Sequence, residues 1–160
     1  LVGHVVASVV KNLVTTAVVL GVAYLIGFRA DASALEWLGA FGMVVAYVVA
    51  ITCVATFVGV LVRSAAAAGG FGFFMLFLPY VSSAFVPPET MPEWLRGFAE
   101  HQPVTPVIET IRGLLVGLGT DGAPVTDLGP TAAIALAWCA GIVVVFLGGA
   151  AWAFARRRRQ

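Results

Sequence analysis

Residues 79–117 read PYVSSAFVPPETMPEWLRGFAEHQPVTPVIETIRGLLVG, and they decide how the rest of the chain is interpreted. An apolar run ends at Val86, where two consecutive prolines interrupt any helix. Two short helices are predicted to follow, over Met91–Glu100 and over Pro106–Gly117. Pro103 separates them, so the stretch is expected to form a helix–turn–helix hairpin.

Each short helix carries its own start signal. Thr90 lies three residues before Glu93, which is the spacing of a capping box. Thr105 and Pro106 are typical of an N-cap residue and a proline at the first helical position. Apolar residues then recur at helical spacing, which predicts one apolar face on each helix. These faces consist of Met91, Trp94, Leu95 and Phe98 in the first helix, and of Val107, Ile108, Ile111, Leu114 and Leu115 in the second.

Neither helix of the hairpin is long enough to cross a membrane. A bilayer core is about 30 Å thick and requires about 20 apolar residues of helix, at about 1.5 Å per residue. Both helices also carry charged side chains, which bare lipid would not accommodate at low cost. We therefore expect a hairpin that sits on one membrane face or dips partway into it, packed against protein.

Two segments of this stretch resemble a known signature. FVPPETMPEWL at 85–95 and QPVTPVIETIRGLL at 102–115 are similar to ABC-2 type exporter permeases, most closely to the daunorubicin-resistance group of drug exporters. The likeness extends from about Val9 to Arg159. In that family the segment is a re-entrant helical hairpin on the outer face, before the last span. The family usually has asparagine before the Pro-x-Thr-Pro turn, where this chain has Gln102, and both residues are polar amides.

The resemblance implies the permease subunit of an ATP-driven exporter in the bacterial plasma membrane. Such a subunit moves a drug-like or other hydrophobic compound out of the cell, a function associated with multidrug and antibiotic resistance. The implied partners are an ABC ATPase subunit, which binds the ATP, a second permease copy and membrane lipid. No cofactor in this chain and no nucleic acid partner are expected. Because the family usually has six spans, the chain is expected to be the C-terminal part of such a permease.

The composition indicates a membrane protein, since 61% of the residues are hydrophobic and 11% are charged, whereas about a quarter of a soluble domain is charged. We predict an all-α fold, a single transmembrane domain of four spans with the hairpin before the last one. A helix at the membrane interface, Leu1–Lys11, is expected to precede the first span, and Glu36 is placed in the loop before the second. The spans are predicted at about 10–28, 37–62, 65–86 and 131–155, and the hairpin at about 90–117.

Basic residues are distributed unevenly between the two sides of this topology. One side carries Lys11, Arg63 and Arg156–Arg159, and the other carries Arg29, Arg96 and Arg112. The positive-inside rule makes the first side cytoplasmic and places the C-terminus there. All eight acidic residues fall on the opposite, outer side: Asp31, Glu36, Glu89, Glu93, Glu100, Glu109, Asp121 and Asp127.

The sequence contains no catalytic or metal-binding constellation. It has no Gly-x-x-x-x-Gly-Lys-Ser/Thr phosphate loop, so this chain is expected to be a transport subunit without its own ATPase site. His4 and His101 fall on opposite sides of the predicted bilayer and cannot share a metal. Cys53 and Cys139 lie in apolar runs, where small core residues are expected and a disulfide is the alternative. Spans two to four lack deep ionisable residues, which argues against a proton- or sodium-coupled carrier.

Three groups of residues are candidate functional residues. For the Ser, Thr and Tyr residues among them, the alternative interpretation is that each hydroxyl only forms a hydrogen bond within its own helix or to a neighbouring helix. For Glu109 and Arg112, the alternative is that the pair only stabilises its own helix. The candidates are Glu93, Trp94, Arg96, Glu109 and Arg112 for an outer gate, Thr52, Thr56, Tyr80, Ser82 and Ser83 for a pathway lining, and Arg63 and Ser64 for a loop facing the ATPase.

Two other functions stay open at this point. A polytopic membrane anchor or interaction protein that does not transport would carry the same spans and charges, but it would leave the hairpin unexplained. Exporters of lipid or polysaccharide share the architecture that the resemblance implies, so the sequence does not select the cargo.

Overall fold

The computed structural model describes residues 2–62, 64–85, 90–119 and 122–157. Helices account for most of these residues, and no β-strand occurs among them. A 3₁₀ helix, Leu78–Val81, directly follows the third α-helix. The α-helices are α1 (Val2–Ile26), α2 (Ala34–Leu61), α3 (Ala65–Phe77), α4 (Glu93–His101), α5 (Val104–Val116) and α6 (Gly129–Arg157).

Among the described residues, three helices are long and apolar enough to cross a membrane, which confirms the prediction of an all-α, multi-pass membrane protein. They are Val6–Ile26 within α1, the whole of α2, and Gly129–Gly149 within α6. The helix that covers the third predicted span is shorter than these three. The number of membrane crossings therefore stays a prediction.

The first helix corrects the prediction of a separate interface helix before a span at 10–28. The chain is one continuous α-helix from Val2 to Ile26. The polar residues near its middle do not interrupt it, because their side chains bond to carbonyl oxygens four residues earlier. Asn12 Nδ2 donates to the Ser8 carbonyl at 2.9 Å, and Thr15 Oγ1 donates to the Lys11 carbonyl at 3.0 Å.

The second helix begins earlier than predicted, at Ala34 instead of Trp37. Its start is a capping box between Ser33 and Glu36. The Ser33 amide donates to Glu36 Oε2 at 2.6 Å, and the Glu36 amide donates to Ser33 Oγ at 3.3 Å. Glu36 therefore belongs to the first turn of α2 and not to the preceding loop, where the sequence analysis placed it.

The third predicted span, 65–86, is not a single helix. Its α-helix ends at Phe77 and gives way to the 3₁₀ helix that contains Pro79. Proline has no amide hydrogen, and its ring clashes with the carbonyl of the residue four positions earlier, so the α-helix cannot continue through it. The backbone of Ser82–Phe85, which we call the break segment, forms turns instead of helix. Val86 lies outside the described residues.

The core of the molecule is a bundle of α2, α5 and α6. Its central cluster consists of Met43, Ala50, Val107, Ala135 and Cys139. Both cysteines are buried and carry free thiols, which confirms their prediction as small core residues. By contrast, α1 packs mainly against α2, and most of its described side chains are exposed.

Candidate functional site

The first helix of the hairpin is present, but its predicted capping box is wrong. Helix α4 begins at Glu93, with Pro92 at the N-cap position and no side-chain cap. A proline disfavours helical geometry in the residue before it, so Met91 cannot open the helix. The helix ends at His101, and Gln102 adopts an extended conformation before Pro103. The sequence analysis predicted that Pro103 separates the two helices, with the first one ending at Glu100.

The second helix of the hairpin starts two residues before its predicted first residue. Helix α5 begins at Val104, because Pro103 already has helical angles, with φ −65° and ψ −22°. Pro106 therefore lies inside the first turn, where its missing amide hydrogen has no partner within the helix in any case. Thr105 is not an N-cap, and its Oγ1 donates to the Ala99 carbonyl at 2.5 Å. The predicted end at Gly117 is confirmed as a left-handed C-cap.

Helix α5 is part of the bundle, and most of its side chains are buried or half-buried there. Val107 belongs to the central cluster with Met43 and Cys139, on the two flanking helices. The C-terminal half of α5 lies beside the first turns of α2, since a Cβ placed on Gly39 would lie 3.4 Å from Leu114 Cδ1. The helix has 13 residues, so it is about 20 Å long. The second helix of the hairpin is therefore packed against protein, as expected, whereas its depth in the membrane stays a prediction.

Helix α4 presents apolar side chains in two directions. Leu95 is half-buried and Ala99 is fully buried, so this side faces the protein. Trp94 and Phe98, which were assigned to the same apolar face, are 79% and 52% exposed. Large aromatic side chains are typical of the interface between membrane and water. The exposed side of α4 thus has the composition of a surface that contacts that interface.

The five candidate gate residues are divided between the two helices. Glu93, Trp94 and Arg96 are exposed on α4, and Arg96 Nε forms an ion pair with Glu100 Oε1 at 2.7 Å. Glu109 and Arg112 are half-buried on α5. The gate residues that lie within the bundle are those of α5.

Two side chains of the hairpin donate hydrogen bonds to backbone carbonyls near Pro79. These carbonyls lack α-helical partners because the α-helix is interrupted there. Gln102 Nε2 donates to the Val81 carbonyl at 2.7 Å, and Arg112 Nη2 donates to the Ser83 carbonyl at 2.8 Å. Non-helical backbone at membrane depth is tolerated only where protein or water provides such partners. The sequence analysis treated Gln102 as a turn residue only. No local signal in the sequence indicates this contact, because Gln102 and Val81 are 21 residues apart.

The candidate pathway residues fall into two separate places. Thr52 and Thr56 line a groove of about 590 Å³ between α1 and α2, together with Asn12 and Tyr47. Their hydroxyls donate to carbonyl oxygens of their own helix, Thr52 to Val48 and Thr56 to Thr52, each at 2.7 Å. This geometry matches the alternative that such hydroxyls bond within their helix. The groove nevertheless presents several polar side chains along an apolar surface.

The other candidate pathway residues lie around the break segment. Ser82 and Ser83 are buried, and Ser82 Oγ donates to the Pro79 carbonyl at 2.6 Å. Tyr80 is 59% exposed and stacks on Phe85 with ring centroids 5.1 Å apart. Of the residues proposed to face the ATPase, Ser64 is exposed next to α3. The other, Arg63, lies outside the described residues.

Comparison with known proteins gives two kinds of match. Residues 1–116 match a family of membrane domains described as ABC-2 type transporter. Among curated relatives, the probable doxorubicin resistance ABC transporter permease protein DrrC of Mycobacterium tuberculosis is 30% identical over 145 residues, which cover 91% of this chain and 50% of the relative. The daunorubicin resistance ABC transporter permease protein DrrB1 of Streptomyces coeruleorubidus is 28% identical over 147 residues, covering 91% and 49%. The chain thus spans about half the length of these relatives. No solved structure matches significantly.

Proposed function

Because this chain belongs to the ABC-2 type transporter family, we propose that it forms part of the permease subunit of an ATP-driven exporter in the bacterial plasma membrane. The observation that carries the proposal is the position of α5, a short helix with two half-buried charged residues that packs against both α2 and α6. A helix in this position moves whenever the flanking helices move apart. It is therefore suited to act as a gate between the membrane interior and the outer side.

The energy for export is proposed to come from a separate ABC ATPase subunit. The sequence has no phosphate loop of its own. Beyond its first turn, α2 has no Asp, Glu, His, Lys or Arg that could carry a transported proton, and neither has the part of α6 between Gly129 and Gly149. In the proposed cycle, ATP-driven closure of the partner shifts the spans, and α5 transmits that shift to the outer hairpin.

The cargo is proposed to be a drug-like, largely apolar compound. The relatives carry the words doxorubicin resistance and daunorubicin resistance in their names. The groove of about 590 Å³ between α1 and α2 falls within the range of about 300–1,000 Å³ that is usual for ligand pockets. We assign Thr52 and Thr56 to the lining that the compound contacts. Export of a lipid or polysaccharide stays the alternative cargo.

A second permease copy is the other proposed partner. The described side chains of α1 are mostly exposed, and large apolar residues such as Val14, Val18 and Leu25 are among them. In a membrane such a surface contacts either lipid or further helices. The proposed orientation places the end of α6 in the cytoplasm, on the side of the ATPase.

Dependence on an ATPase partner tests the proposed function directly. The purified chain is expected to hydrolyse no ATP, and cells should lower their drug accumulation only when permease and ATPase are expressed together. The measurement is doxorubicin fluorescence in cells expressing each protein alone, both, or both with an ATPase inactivated in its phosphate loop. ATP turnover by the purified chain itself, or efflux with the inactivated partner, would contradict the proposal.

Neutralising the charged residues of α5 tests the gate. Glu109→Gln keeps the shape of the side chain and removes its charge, and we expect altered drug accumulation with unchanged membrane insertion and co-purification of the ATPase. The matched control is Glu93→Gln, which makes the same change on the exposed surface of α4. If Glu109→Gln and Arg112→Gln both leave accumulation unchanged, these two residues support their helix and do not form a gate.

A further inference from the structure

A small cavity lies beside the C-terminal half of α5, apart from the groove between α1 and α2. Its volume is about 340 Å³. One wall is the break segment, another is α5, and the third is the loop that follows α5. The lining residues used below are Ser83, Phe85, Arg112, Val116 and Leu118.

The cavity contains a positive charge without a described counter-ion. Arg112 is half-buried, and its guanidinium donates one hydrogen bond, from Nη2 to the Ser83 carbonyl. A guanidinium has five N–H donors, so most of its capacity is left for another partner. Among the described residues, no carboxylate forms an ion pair with Arg112. A partly buried charge in an apolar bundle is unfavourable unless an anion compensates it.

Ser83, which lines the same cavity, has a buried hydroxyl that also lacks a described partner. Ser83 is 3% exposed, and its Oγ has no hydrogen-bond partner among the described residues. Buried hydroxyls are rarely left unpaired in native proteins. An arginine and a serine hydroxyl together are donors suited to the oxygens of a phosphate or carboxylate. The two groups therefore indicate the chemistry of the ligand, which is an oxyanion.

The position of the cavity along the axis of α6 indicates the source of that oxyanion. Arg112 is followed directly by Gly113, where an added Cβ would lie 2.3 Å from Leu128 Cδ2, one residue before α6 begins. The cavity is thus level with one end of a membrane-spanning helix, and the polar headgroups of a bilayer lie at this height. The phosphate plane of the membrane is the most abundant source of oxyanions there.

The rim of the cavity is apolar and open to the surroundings. Phe85, Val116 and Leu118 are 66%, 48% and 38% exposed. The Phe85 ring stacks on Tyr80, and aromatic residues of this kind are enriched at membrane interfaces. An acyl chain attached to the oxyanion could pack along this rim while the charged group lies inside.

We propose that this cavity binds the phosphate group of a membrane phospholipid, with Arg112 and Ser83 as its ligands. The bound lipid bridges α5 and the break segment, and so it stabilises the contact between the hairpin and the interrupted helix. This site is separate from the groove assigned to the cargo, and it does not depend on the chain being an exporter.

Lipid binding can be counted directly on the purified, detergent-solubilised chain by native mass spectrometry with added dioleoylphosphatidylglycerol. The wild-type chain is expected to retain one tightly bound lipid. Arg112→Gln is expected to weaken that binding about tenfold, because it removes a charge-assisted hydrogen bond. Ser83→Ala leaves the backbone carbonyl that Arg112 contacts, and it should weaken binding about threefold while the thermal unfolding temperature changes little. Arg112→Lys should restore part of the affinity.

Control probes distinguish the possible sources of the anion. Arg96→Gln removes an equal charge from the exposed surface of α4 and is expected to bind the lipid as the wild-type chain does. Dioleoylglycerol, which lacks the phosphate, should not bind at this site, and millimolar inorganic phosphate should not displace the phospholipid. The proposal is overturned if dioleoylglycerol binds equally well, if Arg112→Gln and Ser83→Ala both retain the lipid at wild-type affinity, or if inorganic phosphate alone occupies the site.

Discussion

Val107→Asp is expected to prevent stable packing of the bundle and to cost roughly 3–5 kcal/mol of the free energy of unfolding. Val107 is 3% exposed and belongs to the central cluster, together with Met43 and Ala135. An aspartate at this position would bury a carboxylate among apolar side chains, with no cation among the residues of that cluster. Helix α5 would then have to leave its position against α2 and α6.

The matched control is Val116→Asp on the same helix. Val116 is 48% exposed at the end of α5, at the level assigned to the lipid headgroups, so its aspartate can reach water, and a change of less than about 1 kcal/mol is expected. Thermal unfolding in detergent and the rate of proteolysis of the hairpin both report the difference. Similar stability of the two variants would show that α5 is not packed inside the bundle.

The local features of the hairpin could be predicted from the sequence because proline and glycine act locally. Pro103 ends α4 after His101, and Gly117 ends α5 with φ 71°. These effects follow from backbone geometry within one or two residues. The capping box at Ser33 and Glu36 has an equally local signal, a serine three residues before a glutamate. It was missed because the two residues were assigned to a loop according to their charge and polarity.

The depth of α5 could not be predicted in the same way. Thr105 and Thr110 are polar, yet they are 3% and 1% exposed. Thr110 Oγ1 donates to the Pro106 carbonyl of its own helix at 2.6 Å, so its burial leaves no unpaired hydroxyl. A pattern of apolar and polar residues assigns such threonines to an exposed face. Their burial depends on neighbouring helices that the pattern does not contain.

The contacts that connect the hairpin to the break segment are also long-range. Gln102 and Val81 are 21 residues apart, and Arg112 and Ser83 are 29 residues apart. Arg112 was predicted as a gate residue or as a support for its own helix, whereas its observed partner is the backbone of another segment. The two interpretations differ in consequence, because a side chain that hydrogen-bonds to the backbone of the break segment couples α5 to α3, the helix that ends at Phe77.

Gly113→Phe is expected to separate α5 from the start of α6 and to destabilise the bundle by about 3 kcal/mol. An added Cβ at Gly113 would lie 2.3 Å from Leu128 Cδ2, 3.0 Å from Cδ1 and 3.1 Å from Cγ. A phenylalanine ring adds more atoms than rotation of Leu128 can accommodate, so the helices must move apart. Thermal unfolding in detergent measures the loss.

Smaller changes at the same contact separate a steric effect from a general effect on the helix. Gly113→Ala is expected to be destabilising alone, and Leu128→Ala in the same chain should relieve part of that cost, because it removes the atoms that an alanine Cβ would meet. Gly97→Ala is the control on α4, where an added Cβ meets nothing within 4 Å. Alanine is a better helix former than glycine by about 1 kcal/mol, so this control should be neutral or stabilising. If Gly113→Phe unfolds at the wild-type temperature, or if Leu128→Ala adds its own cost without relief, α5 and α6 do not meet at this glycine, and the hairpin is not held in the bundle by this contact.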